Sequence, residues 1–114
     1  MTLAAILFAI AALGGVALAV IRFTGKDVPP TGLALAHGAV AAAGLVALII
    51  AVTGGAASSR ATIALAGFII AALGGFLLFS YHLRRQALPI PLVAIHGLVA
   101  VVSFAILLFG IFAA

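Results

Sequence analysis

Residues 11–15 of this 114-residue chain read Ala-Ala-Leu-Gly-Gly, and the same five residues recur at positions 71–75, which is 60 positions later. A second motif repeats at nearly the same spacing, because residues 37–41 (HGAVA) match residues 96–100 (HGLVA) 59 positions on. Self-similarity at a fixed period indicates that a structural unit has been duplicated. The sequence therefore predicts two copies of one unit.

The composition places these units in a membrane. Hydrophobic residues make up 68% of the chain, charged residues only 5%, and the mean hydropathy is +1.59, whereas soluble domains are about 25% charged. Four apolar stretches, at about 2–22, 31–53, 60–82 and 90–112, are each long enough to cross a hydrocarbon core of about 30 Å. A soluble enzyme is excluded, and no nucleic acid is expected as a partner because the five Lys and Arg residues form no basic patch.

These stretches predict an all-α membrane protein, a four-transmembrane-helix bundle in one domain over residues 1–114. Its two repeats, residues 1–55 and 56–114, would each contain two helices. Because that number is even, the copies enter the membrane in the same direction, and the sequence predicts a pseudo-twofold axis along the membrane normal. We expect the first stretch to be a helix of the bundle rather than a signal peptide, since the third stretch repeats it.

The cations predict the orientation of the bundle. The link after the first stretch and the link after the third carry four of the five Lys and Arg residues, whereas the middle link carries only Arg60. Cytoplasmic loops of membrane proteins are enriched in Lys and Arg. The sequence therefore predicts that the first and third links are cytoplasmic and that both termini lie on the other side.

Two histidines are the ionisable side chains predicted to lie inside the membrane. His37 and His96 are each about six residues into the second and fourth predicted helices, or about 9 Å deep. Short links place those two helices on a diagonal of the bundle, about 14 Å apart, which is too far for two imidazoles to meet unaided. A metal at the centre of a flat macrocycle would suit this gap, since imidazole is a common axial ligand of haem iron.

Small residues near the histidines would leave room for such a macrocycle. Gly15 and Gly75 are expected at the depth of the histidines, and glycine serves where a group must approach the backbone closely. Other small side chains follow the histidines at helical spacing on the same faces; they are Ala41, Gly44, Ala100 and Ser103. We expect the haem propionates to meet the polar residues at the predicted cytoplasmic boundary, which are Arg22, Lys26, His82, Arg84 and Arg85.

Simpler interpretations stay open for both residue types. Glycine and alanine also allow close packing of membrane helices, and a membrane histidine often makes only an interhelical hydrogen bond. Two chlorophyll-type pigments with one histidine each are another alternative, although the chain has no Trp and few groups to bond ring carbonyls. A bare zinc or copper site would need three or four ligands.

The layout resembles that of minimal membrane cytochromes b, in which a four-helix bundle holds haem b between histidines of two helices. The resemblance covers all four helices, but its specific residues are only His37, His96 and the glycines at their level. It implies one haem b as cofactor, with His37 and His96 as the metal ligands. With a single histidine pair, the chain would not carry electrons across the whole bilayer alone.

The resemblance implies a small subunit that transfers electrons within a larger respiratory or photosynthetic complex, with a quinone as a further possible partner. It would not be a stand-alone enzyme but an electron-transfer subunit of an oxidoreductase. A cofactor-free accessory subunit and a small-solute channel or carrier are the alternatives. Proton-coupled antiporters and rotary-ATPase c-type subunits are excluded because they need a membrane carboxylate, and the only acidic residue, Asp27, lies in a link.

Overall fold

The computed structural model of the chain describes residues 1–55 and 58–113, and these ranges form an all-helical bundle. The helices are α1 (Thr2–Phe23), α2 (Thr31–Thr53), α3 (Ser59–Leu83) and α4 (Ile90–Phe112). Each is long and apolar enough to cross a membrane, and each boundary lies within one residue of the predicted one. The prediction of a four-helix, all-α fold is confirmed. The predicted boundary between the repeats involves residues 56 and 57, which lie outside the described residues, as does Ala114.

The ends of the helices are marked by a capping serine, by prolines and by a glycine in a turn. Ser58 caps α3, since its Oγ accepts a hydrogen bond of 3.3 Å from the backbone N–H of Ala61. Prolines, which have no N–H to donate, immediately precede α2 and α4, at Pro30 and Pro89. After α1 the chain turns at Gly25, whose φ of +117° is rarely adopted by residues with a side chain.

The four helices are arranged in chain order around the bundle axis. The packed pairs are α1 with α2, α2 with α3, α3 with α4 and α4 with α1, whereas the backbones of the two diagonal pairs do not approach each other. The predicted diagonal placement of α2 and α4 is thereby confirmed. The Cα atoms extend 42 Å along the longest dimension and 19 Å across, so the bundle is longer than the roughly 30 Å hydrocarbon core of a bilayer.

One half of the bundle is filled by a compact apolar core at the end where α1 begins. Two phenylalanine rings, Phe8 of α1 and Phe68 of α3, stack across a diagonal with centroids 3.8 Å apart and planes 3° apart. Small and aliphatic residues surround them, and the whole buried cluster is Ala4, Ala5, Phe8, Leu48, Ala61, Ala64, Phe68 and Leu107. The alanines allow the helices to approach, and the two rings fill the axis that remains between them.

We expect Phe68→Ala to destabilise the bundle by about 3–5 kcal/mol, because it removes one of the stacked rings and leaves a cavity on the axis. Thermal unfolding in detergent would measure this loss. Phe76→Ala is the matched control, since Phe76 lies on the same helix but is 73% exposed. Equal stability losses in the two variants would show that the stacked pair is not the centre of this core.

The opposite end of the bundle is closed by the two loops that follow α1 and α3. Leu88 is buried there, next to Leu78 and Val93. Its backbone N–H donates to the carbonyl of Asp27 at 3.1 Å, and its own carbonyl accepts a hydrogen bond of 2.8 Å from Nε of Arg22. These bonds join the two loops, and the histidines lie between this closed end and the phenylalanine core.

Candidate functional site

The two histidines face each other across the α2–α4 diagonal. The ring centroids of His37 and His96 are 6.3 Å apart, and the ring planes are nearly perpendicular, at 86°. The expectation that imidazoles on diagonal helices could not meet unaided is therefore wrong, because 6.3 Å is within the range of edge-to-face ring pairs. Both side chains extend inward from their helices, which shortens the gap below the spacing of the helix axes.

Both imidazoles are held by backbone carbonyls in the same way. Nδ1 of His37 donates to the carbonyl oxygen of Ala11 at 2.7 Å, and Nδ1 of His96 donates to that of Ala71 at 2.8 Å. Because a carbonyl oxygen can only accept, Nδ1 carries the proton in each ring, and Nε2 of the neutral ring has a free lone pair. Within residues 1–55 and 58–113, neither Nε2 atom has a hydrogen-bond partner.

The paired glycines explain how the histidines reach those carbonyls. In an α-helix each Cα–Cβ bond tilts towards the N-terminus, so the side chains three and four residues later flank the carbonyl of residue i. Residues 14 and 15 stand in this relation to Ala11, and both are glycine. A Cβ atom at position 15 would lie 3.0 Å from Cε1 of His37, and one at position 14 would lie 3.5 Å from the Cβ of His37.

The second pair of glycines acts in the same way on the other histidine. A Cβ atom at Gly75 would lie 3.3 Å from Cε1 of His96, and one at Gly74 would lie 3.5 Å from its Nδ1. The structure thus places these glycines against the imidazole of His96, beside the carbonyl of Ala71 that accepts its hydrogen bond. Clearance for a macrocycle at the same glycines stays a prediction.

The small residues that follow the histidines lie further along α2 and α4. Ala41 and Ala100 are half-buried. The space next to Gly44 is occupied by Phe8, whose ring would be 3.2 Å from a Cβ atom at that position. Ser103 packs closely against Gly67 of α3 and donates through Oγ to the carbonyl of Val99 at 2.7 Å. That these four small residues leave room for a cofactor ring stays a prediction.

The predicted propionate-binding residues occupy different environments at the loop end. Arg22 is drawn towards Leu88, and its Nη1 lies 4.0 Å from a carboxylate oxygen of Asp27. Arg84 is exposed and bonds Ser80 of its own helix. Lys26 and Arg85 are also exposed. None of these four cations is directed by a described contact towards the histidines.

His82 differs from the other residues of that set. Its side chain is buried, with 7% of the residue exposed, and neither ring nitrogen has a hydrogen-bond partner among the described residues. Phe79 lies against its ring, with centroids 5.7 Å apart and planes 23° apart. A buried polar side chain without a partner is uncommon in folded proteins.

The histidine pair offers two ring nitrogens, and no third His, Asp or Glu side chain of the described residues joins them in a group that could hold a metal. Groups of three or more His, Asp or Glu side chains that could hold a metal are absent from these residues, so a tetrahedral zinc site lacks its ligands. A haem macrocycle would supply four nitrogens to its iron, so two nitrogens from the protein would complete the coordination. Two imidazole nitrogens that bound one metal at about 2 Å each would be about 4 Å apart, and the ring centroids, which lie further out, are 6.3 Å apart.

Comparison of the chain with protein-family models, curated proteins and solved structures finds no match. The assignment of a function therefore depends on the geometry of the site. Sequence reasoning identified the histidines and glycines but missed their carbonyl partners, Ala11 and Ala71. The signal was present in the repeated motif, where an alanine is followed three and four residues later by glycine.

Proposed function

We propose that this chain is a small membrane cytochrome in which His37 and His96 bind the iron of one haem b from opposite sides. The observation that carries the proposal is that the two rings form the same hydrogen bond through Nδ1. Each imidazole donates a hydrogen bond from its Nδ1–H to a backbone carbonyl, which orients the ring and leaves Nε2 available as a ligand. Histidines that bind metals nearly always donate their other N–H in this way.

The activity proposed for the site is transfer of one electron at a time. A haem bound there would supply one-electron redox chemistry, and the imidazoles of His37 and His96 with their hydrogen bonds would tune its potential. A quinol or a reduced partner subunit would supply the electron, and an oxidised redox centre of a larger respiratory or photosynthetic complex would accept it. Large apolar side chains on the outer faces, including Leu13, Phe76 and Phe112, would contact lipid or such a partner.

We also infer that the bundle consists of two copies related by a pseudo-twofold axis along the membrane normal. The equivalent bonds from His37 to Ala11 and from His96 to Ala71 support this relation. The location of four of the five cations at one end supports the assignment of that end to the cytoplasm, with the termini opposite.

A cofactor-free accessory subunit is the competing function, and one observation favours it. The two Nδ1 bonds join α1 to α2 and α3 to α4, so the histidines would stabilise the bundle even without a metal. In that case the edge-to-face pair would be the final state of the two rings rather than a site prepared for iron. Among the described residues, no comparable contact supports a channel or carrier.

A visible spectrum of the purified protein separates the two functions. We expect an intense Soret band, an α-band that sharpens on reduction with dithionite, and a pyridine haemochrome spectrum of b type at one haem per chain. Protein expressed in haem-deficient cells and then titrated with haemin should show the same bands. A protein that binds no haem in either experiment would contradict the cytochrome function and support the accessory one.

The ferric protein offers a second readout of the geometry. If both rings bind the iron at their observed interplanar angle of 86°, they would interact with different d orbitals and leave these orbitals close in energy. We therefore expect a strongly anisotropic low-spin electron paramagnetic resonance signal, with one g-value well above those of proteins whose axial planes are parallel. A rhombic signal typical of parallel planes would contradict the observed ring orientation.

A further inference from the structure

The structure leaves one buried imidazole outside the histidine pair without a hydrogen-bond partner. Both ring nitrogens of His82 are inaccessible and unpaired within the described ranges. Burial of a polar group without a hydrogen bond is destabilising, so the ring of His82 is expected to bond a group that is not part of the described residues. Because the neutral ring has one donor and one acceptor nitrogen, a group with hydrogen-bonding oxygens would satisfy it.

The position of His82 relates it to the histidine pair. Gly75 packs against His96, and His82 follows seven residues later on the same helix, about 10 Å closer to the loop end. That end carries Arg22, Lys26 and two further arginines. A ligand that is bound at the histidines and extends towards the loops would therefore bring its outer edge near His82, in a region of positive charge.

We propose that His82 donates a hydrogen bond to a propionate carboxylate of the haem, an inference that rests on the proposed function. Haem b carries its carboxylates on one edge, and a carboxylate is acceptor-only, which suits an imidazole N–H. Hydrogen bonds with an ionised acceptor are about twice as strong as neutral ones. The propionates of the haem then point to the end of the bundle that is closed by the two loops.

Comparison with the equivalent residue of the first repeat supports this role for His82. Arg22 stands 60 positions earlier, and its guanidinium is engaged by the carbonyl of Leu88 and lies near Asp27. Arg84, which immediately follows α3, is bonded to Ser80. His82 is thus the buried polar side chain at this end that has no described protein partner.

The test compares haem with haem dimethyl ester, in which both propionates are esterified and uncharged. Dissociation constants of the two porphyrins would be measured by titration of the full-length apoprotein in detergent. We expect the wild type to prefer haem by about tenfold to a hundredfold, the range of one hydrogen bond to a charged group. In His82→Phe this ratio should fall towards one, whereas Arg60→Gln, at an exposed cation near the opposite end of the bundle, should keep it.

His82→Gln tests the hydrogen bond apart from the fold, since glutamine keeps an N–H donor and should retain part of the preference for haem. The ratio of the two dissociation constants is insensitive to a general loss of stability, because a less stable protein binds both porphyrins more weakly by the same factor. An unchanged ratio in His82→Phe overturns this inference alone. If the wild type binds neither porphyrin, the proposed function fails and the inference fails with it.

Discussion

Replacement of His37 or His96 by asparagine is expected to abolish haem binding while the bundle stays folded. The side-chain nitrogen of asparagine stands near the position of Nδ1 and can still donate to Ala11 or Ala71, whose carbonyls accept those bonds at 2.7 and 2.8 Å in the native protein. Asparagine has no atom at the position of Nε2, so the iron ligand is lost. Pyridine haemochrome analysis and thermal unfolding would be measured on the same samples.

The alanine variants complete this comparison. His37→Ala and His96→Ala remove both the ligand and the interhelical hydrogen bond, so they should lose haem and also about 0.5–1.5 kcal/mol of stability. If the asparagine variants keep the pigment, the iron is not bound at these residues. If the wild type has no pigment and only the alanine variants are destabilised, the histidines are purely structural.

Gly15→Leu is expected to have the second largest effect. It should abolish haem binding although neither proposed ligand, His37 or His96, is replaced. A Cβ atom there already lies 3.0 Å from Cε1 of His37, and a leucine side chain would displace the ring from the carbonyl of Ala11. Gly15→Ala should weaken haem binding by about tenfold or more, since overpacking costs about 1–3 kcal/mol. Titration with haemin would measure both effects.

Two other glycines provide graded controls for this prediction. Gly75→Ala should have a smaller effect than Gly15→Ala, because its Cβ atom would lie 3.3 Å from the ring of His96. Gly38→Ala should not weaken binding, because a Cβ atom at that position meets nothing within 4 Å, and alanine favours the helix. Equal losses of affinity at Gly15 and Gly38 would show that the effect does not come from contact with the imidazole.

The helices and their approximate ends were predictable because the signals for them are local. Runs of more than 20 apolar residues require satisfied backbone hydrogen bonds in a membrane and hence helices, and Pro30, Ser58 and Pro89 mark where helices begin. The diagonal placement of α2 and α4 also followed from short links. These inferences need only the order of residues along the chain.

The details of the site were less predictable because they depend on how far side chains reach between helices. The spacing of helix axes predicted a gap that two imidazoles could not close, yet the rings lie 6.3 Å apart. The contact of Gly44 with the ring of Phe8 also depends on side-chain reach, and the predicted clearance for a cofactor at Gly44 stays a prediction. The match of Phe8 with Phe68 in the repeat gave no indication that the two rings would stack.

The amino-acid sequence by itself determined that this chain forms four apolar helices, that its two halves repeat, and that one His-Gly motif in each half is a candidate for chemistry. The tertiary structure decided which atom of each imidazole is free, because the partner carbonyls of Ala11 and Ala71 belong to other helices. It also decided that His82 is buried without a described partner. Protonation and hydrogen bonding depend on neighbours in space, and those neighbours are brought together only by the packing of the helices.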